Sequence, residues 1–120
     1  MAKIFLDTNF YIDAMVRKPE IFRSLNGIKM SISALSIHIL FYSQKIKITN
    51  KEFDFLVSPF DIVSLNRSLI SLALSGPTND LEDNIQLHSA SESECDIFLT
   101  NDKKLLKMKF FGKMRIVSTI

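Results

Sequence analysis

Two stretches of the chain share nearly the same wording. Lys3-Ile4-Phe5-Leu6 is a short apolar run ended by Asp7-Thr8-Asn9, and Asp96-Ile97-Phe98-Leu99 is another ended by Thr100-Asn101-Asp102. Runs this short and continuously apolar read as strands buried on both faces, as in a parallel sheet covered by helices. The segment after each run has helical character. After the first, Phe10, Ile12, Ala14, Met15 and Val16 supply an apolar helix that should end before Pro19, because proline disfavours helical backbone at the preceding residue. A second short helix runs from Glu20 to about Leu25 and stops at Asn26-Gly27.

Lys29-Met30-Ser31-Ile32 is the next short strand, and the apolar stretch from Ala34 to about Ile46 reads as a mostly buried helix with Ser33 as its N-cap. Asn50 through Val57 is another helix, stopped by Ser58-Pro59, and Phe60-Asp61-Ile62-Val63-Ser64 then reads as a strand. Asn66 to Ser75 predicts a helix with Leu69, Leu72 and Ala73 inward, ended by Gly76-Pro77. Further helices are expected from Asp80 to about Glu94 and from Lys103 to Met108, with a last strand near Met114 to Val117. Strands alternating with helices predict an α/β fold with an open, parallel sheet covered on both sides. No linker, low-complexity tract or repeat beyond the paired strand endings divides the chain, so residues 1–120 are expected to form a single domain.

Composition supports an ordinary globular domain. The chain has 120 residues, 47% hydrophobic and 23% charged, and a chain of this length buries roughly two-thirds of the surface its unfolded form exposes. Cys95 is alone, so neither an internal disulfide nor a cysteine-based zinc cage is available, and a reducing, cytoplasmic setting is the expectation. The longest uninterrupted apolar run, Ile39-Leu40-Phe41-Tyr42, is far shorter than the roughly 20 residues that cross a bilayer, which excludes a transmembrane span, and no membrane partner is expected. Met1-Ala2-Lys3 with Asp7 close behind does not make a secretory signal.

A net charge of +2 predicts little by itself, but its distribution is uneven. From Ser68 to Asp102 there is no Lys or Arg, while Asp80, Glu82, Asp83, Glu92, Glu94, Asp96 and Asp102 all fall in that stretch. Immediately after it come Lys103, Lys104, Lys107, Lys109, Lys113 and Arg115. Two solvated helical faces would give such blocks, and so would a metal-binding acidic floor beside a phosphate-binding rim. In open α/β sheets the ligand crevice lies outside the carboxyl ends of the strands, where Asp7 and Asp102 are placed. Asp83 stands at i+3 from Asp80 and so on the same helical face. Each of these acids also has a plain structural role open to it, since Asp7, Asp80 and Asp102 can all cap the adjoining helix. Capping and ligation are compatible. Acids gathered around one hole raise one another's pKa, and a hard divalent ion, Mg²⁺ or Mn²⁺, relieves the repulsion through oxygen ligands.

Taken in order, Ile4-Phe5-Leu6-Asp7-Thr8-Asn9, Asp80-Leu81-Glu82-Asp83 and Cys95-Asp96-Ile97-Phe98-Leu99-Thr100-Asn101-Asp102 resemble the PIN domain family, and Ser33-Ala34-Leu35-Ser36 fits the opening of its next helix. The match spans nearly the whole chain, and the members it most resembles are the VapC-type toxins of bacterial toxin–antitoxin pairs. The resemblance implies a three-layer α/β sandwich whose acidic pocket binds Mg²⁺ or Mn²⁺ and cuts RNA as an endonuclease. It makes Asp7, Asp83 and Asp102 the catalytic acids and metal ligands, Asp80 an accessory ligand, and Asn9 and Thr100 the polar neighbours that support the pocket. It also implies RNA as substrate, an antitoxin protein as partner, and pairing into homodimers.

One position departs from the pattern. The family's second acid belongs in the helix after the second strand, and Ser36-Ile37-His38-Ile39-Leu40 places Ile39 there. Isoleucine offers no lone pair, so a two-metal site becomes harder to build. His38 is adjacent, but helix neighbours point about 100° apart, so it replaces the acid only with a shift of register. His38 and His88 otherwise read as packed or surface imidazoles. Lys103, Lys104 and Lys107, just past Asp102, would hold flanking phosphates, giving affinity without sequence preference. Most of the aromatic residues sit at core-like positions. Two functions from different classes are implied: a metal-dependent endoribonuclease, or a catalytically degenerate PIN domain that binds RNA or protein. A phosphohydrolase of small substrates ranks last, because three glycines include no phosphate-cradling loop.

Overall fold

The computed structural model describes residues 2–48 and 51–120. In chain order the elements are β1 (Lys3–Leu6), α1 (Thr8–Ile12) running on into a π-helical turn (Asp13–Arg17), α2 (Pro19–Ser24), β2 (Lys29–Ser33), α3 (Ala34–Ser43), a 3₁₀ turn (Lys51–Leu56), β3 (Phe60–Val63), α4 (Arg67–Leu74), α5 (Leu81–Glu92), β4 (Ile97–Leu99), α6 (Lys103–Met108), β5 (Phe110–Phe111) and β6 (Met114–Val117). The strands form one sheet in the order β3-β2-β1-β4-β6-β5. Every pair is parallel except the terminal β5–β6 hairpin. The α/β sheet with helices on both faces is therefore the architecture found.

Alternation along the strands sorts the core into two layers. Ile4, Leu6, Met30, Ile32 and Leu99 face Phe10, Tyr11, Ile12 and Leu25 of the α1–α2 region, joined by Leu40 of α3 and Leu56 of the 3₁₀ turn. Phe5, Phe98, Met114 and Ile116 face the other way, against Leu87 and Ala90 of α5 and Leu105 of α6. There Phe5 and Phe98, register partners on neighbouring strands, stack at 5.5 Å. Tyr11 is fully buried on the first side, where its hydroxyl donates to the Leu56 carbonyl at 2.7 Å and burial pushes the phenol up to about 12. A third cluster of Leu69, Ala73 and Ile85 fastens α4 to α5.

Several boundaries differ from the sequence pattern for local reasons. The first helix reaches Arg17 as expected, but its last turn is π-helical, closed by the Lys18 N–H on the Asp13 carbonyl and by the Arg17–Asp13 ion pair at 3.0 Å. Its successor begins at Pro19 itself, which needs no hydrogen-bond partner at a helix start. The third helix stops at Ser43 rather than near Ile46, because Lys45 adopts a left-handed conformation (φ 55°) and turns Ile46 back onto the core. The helix expected over Asn50–Val57 is a 3₁₀ turn from Lys51, with Asn50 outside the described residues. The two-residue strand β5 has no counterpart in the sequence pattern. A Gly112-Lys113 turn, with glycine at φ 60°, folds it onto β6.

Candidate active site

Parallel pairing of β1 with β4 matches Leu6 to Leu99. The next residue on each chain is then Asp7 and Thr100, side by side at the carboxyl end of the sheet. The Asp7 N–H donates to the Leu99 carbonyl at 3.0 Å, which continues the ladder. Asp7 is buried (6% exposed), and both carboxylate oxygens are occupied: the Thr8 N–H donates to Oδ1 at 2.8 Å and Thr100 Oγ1 to Oδ2 at 2.7 Å. Thr100 Oγ1 in turn accepts the Asp102 N–H at 3.0 Å, so one hydroxyl ties the two acidic strand ends together. Burial raises the Asp7 carboxyl to about 6; the bonds from Thr100 and Thr8 oppose the shift, and the charges of Glu82 and Asp102 add to it.

Asp83 approaches from α5. The Asp80 carboxylate caps that helix by accepting the Asp83 N–H at 2.9 Å, which fixes the first turn and aligns the two acids. Asn84 anchors the same turn from below, with its amide donating to the Ala73 and Thr78 carbonyls at 2.8 and 2.9 Å and its oxygen accepting from Thr78. The Asp83 carboxyl is raised to about 6, first by desolvation, then by the charges of Asp80, Asp7 and Asp102, with Lys104 pulling the other way. Glu82, not singled out in the sequence, belongs to the same group: desolvation raises it, Asp80 and Asp83 add to this, and its own charge reaches Asp7. Its only sequence signature is its place in a helix start already rich in acids.

Asp102 caps α6 by accepting the Lys104 and Leu105 N–H groups at 2.8 and 3.3 Å. Asp7, Asp83 and Asp102 are thus brought within reach of one another's charge, with Asp80 at the rim. The remaining expected residues are placed less closely. Asn9 is exposed in the first turn of α1 and makes no side-chain hydrogen bond among the described residues. Lys103, Lys104 and Lys107 are exposed on α6, and of these Lys104 is the one whose charge Asp83 senses. His38 is exposed and stacks on Tyr42 at 6.2 Å. His88 is half-buried, donates Nε2–H to the Gly76 carbonyl at 2.8 Å and meets the Phe111 ring edge-on.

Ser36, one turn before position 39, is fully buried and bridges Thr8 and Gln86 at 2.8 and 3.2 Å, which joins α1, α3 and α5 beneath Asp7. Ile39 stands at i+3 from it and is half-buried against the α1–α2 core. An apolar side chain therefore occupies the place where the resemblance expects a carboxylate. A cavity of about 400 Å³, bounded by Phe10, Leu25, Leu99 and Asn101 among others, opens at the same end of the sheet but is lined by none of the acids.

The donor set suits a hard divalent cation: carboxylate oxygens in excess, mutually repelling, with one lysine close by. Among the described residues, however, no three His, Cys, Asp or Glu side chains stand close enough together to grip an ion as they are placed. The reason is visible in the bonding. Asp7, Asp80 and Asp102 each give an oxygen to the cap of the helix that follows, and the second oxygen of Asp7 is taken by Thr100. The chemistry of the donors fits the ion, and as placed they stand apart.

No family model matches the chain, and no curated protein matches it. Among solved structures it is similar to a toxin–antitoxin complex from Klebsiella pneumoniae, with TM-score 0.68 and 19% identity over 84% of this chain and 88% of that one. VapBC2 from Rickettsia felis, bound to a DNA fragment from its promoter, gives TM-score 0.67 and 14% identity over 95% and 96% of the two chains. DNA-bound VapBC from Salmonella typhimurium gives 0.63 and 20% over 97% of both. The fold is thus shared with chains of VapBC complexes, in agreement with the PIN-like reading of the sequence.

Proposed function

We propose that the chain is a divalent-cation-dependent endoribonuclease of the PIN type and the toxin of a toxin–antitoxin pair. The observation that carries this is the gathering of Asp7, Asp83 and Asp102 at the carboxyl ends of β1 and β4, with Asp7 and Asp102 both acting on the Asp83 carboxyl. The antitoxin partner is supported by the fold shared with chains of toxin–antitoxin complexes. Asp7, Asp83 and Asp102 would hold Mg²⁺ or Mn²⁺, with Asp80 and Glu82 beside them. A bound ion would neutralise this cluster, lower the pKa of a water, and offset charge developing on a phosphodiester. Thr100 and Thr8 fix the Asp7 carboxylate in one orientation, so Asp7 needs no reorganisation when substrate arrives. Lys104, with Lys103 and Lys107 on the same short helix, holds the phosphates flanking the cut.

Two measurements test this. Mn²⁺ titrated calorimetrically into metal-stripped protein should bind, and the heat should vanish in Asp7→Asn. Cleavage of mixed single-stranded RNA should require the ion and fall by about a hundredfold or more in Asp83→Asn. Silence of the wild-type protein in both, up to millimolar Mn²⁺, would overturn the reading.

One observation favours a second reading, a catalytically degenerate PIN domain that binds RNA or protein: Ile39 is packed on the core where an acid is expected. Ile39→Glu should then create or greatly raise cleavage. An unchanged rate in a folded variant removes the missing ligand as the explanation.

A further inference from the structure

The last hairpin of the sheet presents an exposed aromatic ring beside an arginine. Phe110 of β5 is the register partner of Arg115 of β6, and directly opposed residues project from the same face of an antiparallel pair. The next pair, Phe111 and Met114, projects the other way and packs on the α5–α6 core. Phe110 is therefore turned off that core, and it is 56% exposed. Arg115 beside it is exposed, as are Lys109 at the start of the hairpin and Lys113 in its turn. Lys103 to Ile120 contains no Asp or Glu. Among the described residues none of these three cations makes an ion pair. Lys113 lines a pocket with Phe111, Met114, Glu94 and Asp96, on the face away from Phe110, and the Asp96 carboxylate also accepts the Lys3 N–H at 2.9 Å. The platform is also fixed in shape: the Ile116 N–H donates to the Lys109 carbonyl at 2.9 Å, and the Gly112-Lys113 turn closes the far end.

We propose that this hairpin is a stacking site for single-stranded RNA, with one base lying on the Phe110 ring and Arg115 beside it taking the adjacent phosphate. An exposed ring beside an exposed, unpaired arginine matches a strand whose bases are π-faces and whose backbone is anionic. An apolar protein partner would cover the ring only by stripping water from the Arg115 guanidinium, which makes no ion pair among the described residues. The inference rests on the ribonuclease reading for the identity of the strand, and it adds a contact distinct from the acidic pocket.

The chain contains no tryptophan, so Phe110→Trp installs a single reporter on the exposed ring position. Titration with single-stranded RNA of about twelve nucleotides, long enough to span one such platform and its flanks, is run in EDTA so that nothing is cut. The expected result is quenching of the reporter. In the otherwise wild-type chain, Phe110→Ser should weaken binding about tenfold, and Arg115→Ala should reduce the log–log salt slope by about one. No quenching, together with unchanged affinity in both variants, overturns the site. RNA affinity untouched by Phe110→Ser while that change abolishes self-association assigns the face to protein contact and overturns it equally. Cleavage is scored separately with Asp83→Asn as the inactive control. Quenching without any wild-type cleavage leaves the stacking site standing and removes the nuclease, whereas cleavage without quenching does the reverse.

Discussion

The two strand ends that look alike in sequence are chemically different places. At the end of β1 the order is Leu6-Asp7-Thr8; at the end of β4 it is Leu99-Thr100-Asn101-Asp102. Because Leu6 pairs with Leu99, the residue opposite Asp7 is Thr100, and the second acid stands two residues further on. Asp7 is consequently buried, with both oxygens bonded and its carboxyl pushed up to about 6. Asp102 lies past the bend, half-buried, and gives an oxygen to the first turn of α6. Both acids cap the helix that follows, but at the first strand end the capping carboxylate is buried and its charge is unfavourable. A motif repeated in letters is thus not repeated in environment, since register decides which atom meets which.

The largest effect that should separate the two ends is pH-dependent stability. Asp7 has a folded pKa of about 6 against an ordinary 3.8, so the unfolded chain loses its proton first as pH rises. Stability linked to this group is full below about pH 4 and is lost as pH climbs through 6, by about 2–3 kcal/mol. Denaturant unfolding of metal-free protein should accordingly find Asp7→Asn more stable than wild type at pH 7, with the gap closing towards pH 4. Equal stability at both pH values would mean that the Asp7 charge carries no penalty. Asp83, raised in the same direction, should make the wild-type slope steeper.

Next in size is Thr100→Val, which keeps the shape but removes the donor to Asp7 and the acceptor for the Asp102 N–H. A loss of about 2 kcal/mol at pH 7 is expected, shrinking at pH 5 as Asp7 takes up a proton. A loss independent of pH would disconnect Thr100 from the carboxylate. The smallest effect is expected at the other end, where Asp102→Ala should cost about 1 kcal/mol as a lost helix cap. A drop as large as that of Thr100→Val would show that the two ends are more alike than their bonding indicates.

Much of the architecture is legible in the chain because the elements are short, locally punctuated and apolar in runs. Ser33, Asp80 and Asp102 cap the helices they precede, and Pro19 and Gly76-Pro77 stand at boundaries. Two kinds of feature escape such a reading. The Lys45 turn and the β5 strand depend on backbone choices that a few residues make under tertiary contact, where periodicity has nothing to count. Glu82 and the buried Thr8–Ser36–Gln86 bridge join α1, α3 and α5, segments that meet only when packed. Exposure of Phe110 is hidden for the same reason. As one of ten phenylalanines it resembles core in the sequence, and only its pairing with Arg115 turns it outward.

The sequence by itself determined the order of strands and helices, their caps, and the acids at strand ends and helix start, because propensity, turn chemistry and apolar periodicity act over a few neighbouring residues. Tertiary structure decided which of those acids is buried, which is bonded and which is merely a cap. Desolvation and Coulomb repulsion depend on distances across the sheet, and those distances are set when Leu6 pairs with Leu99 and α5 closes over the strand ends.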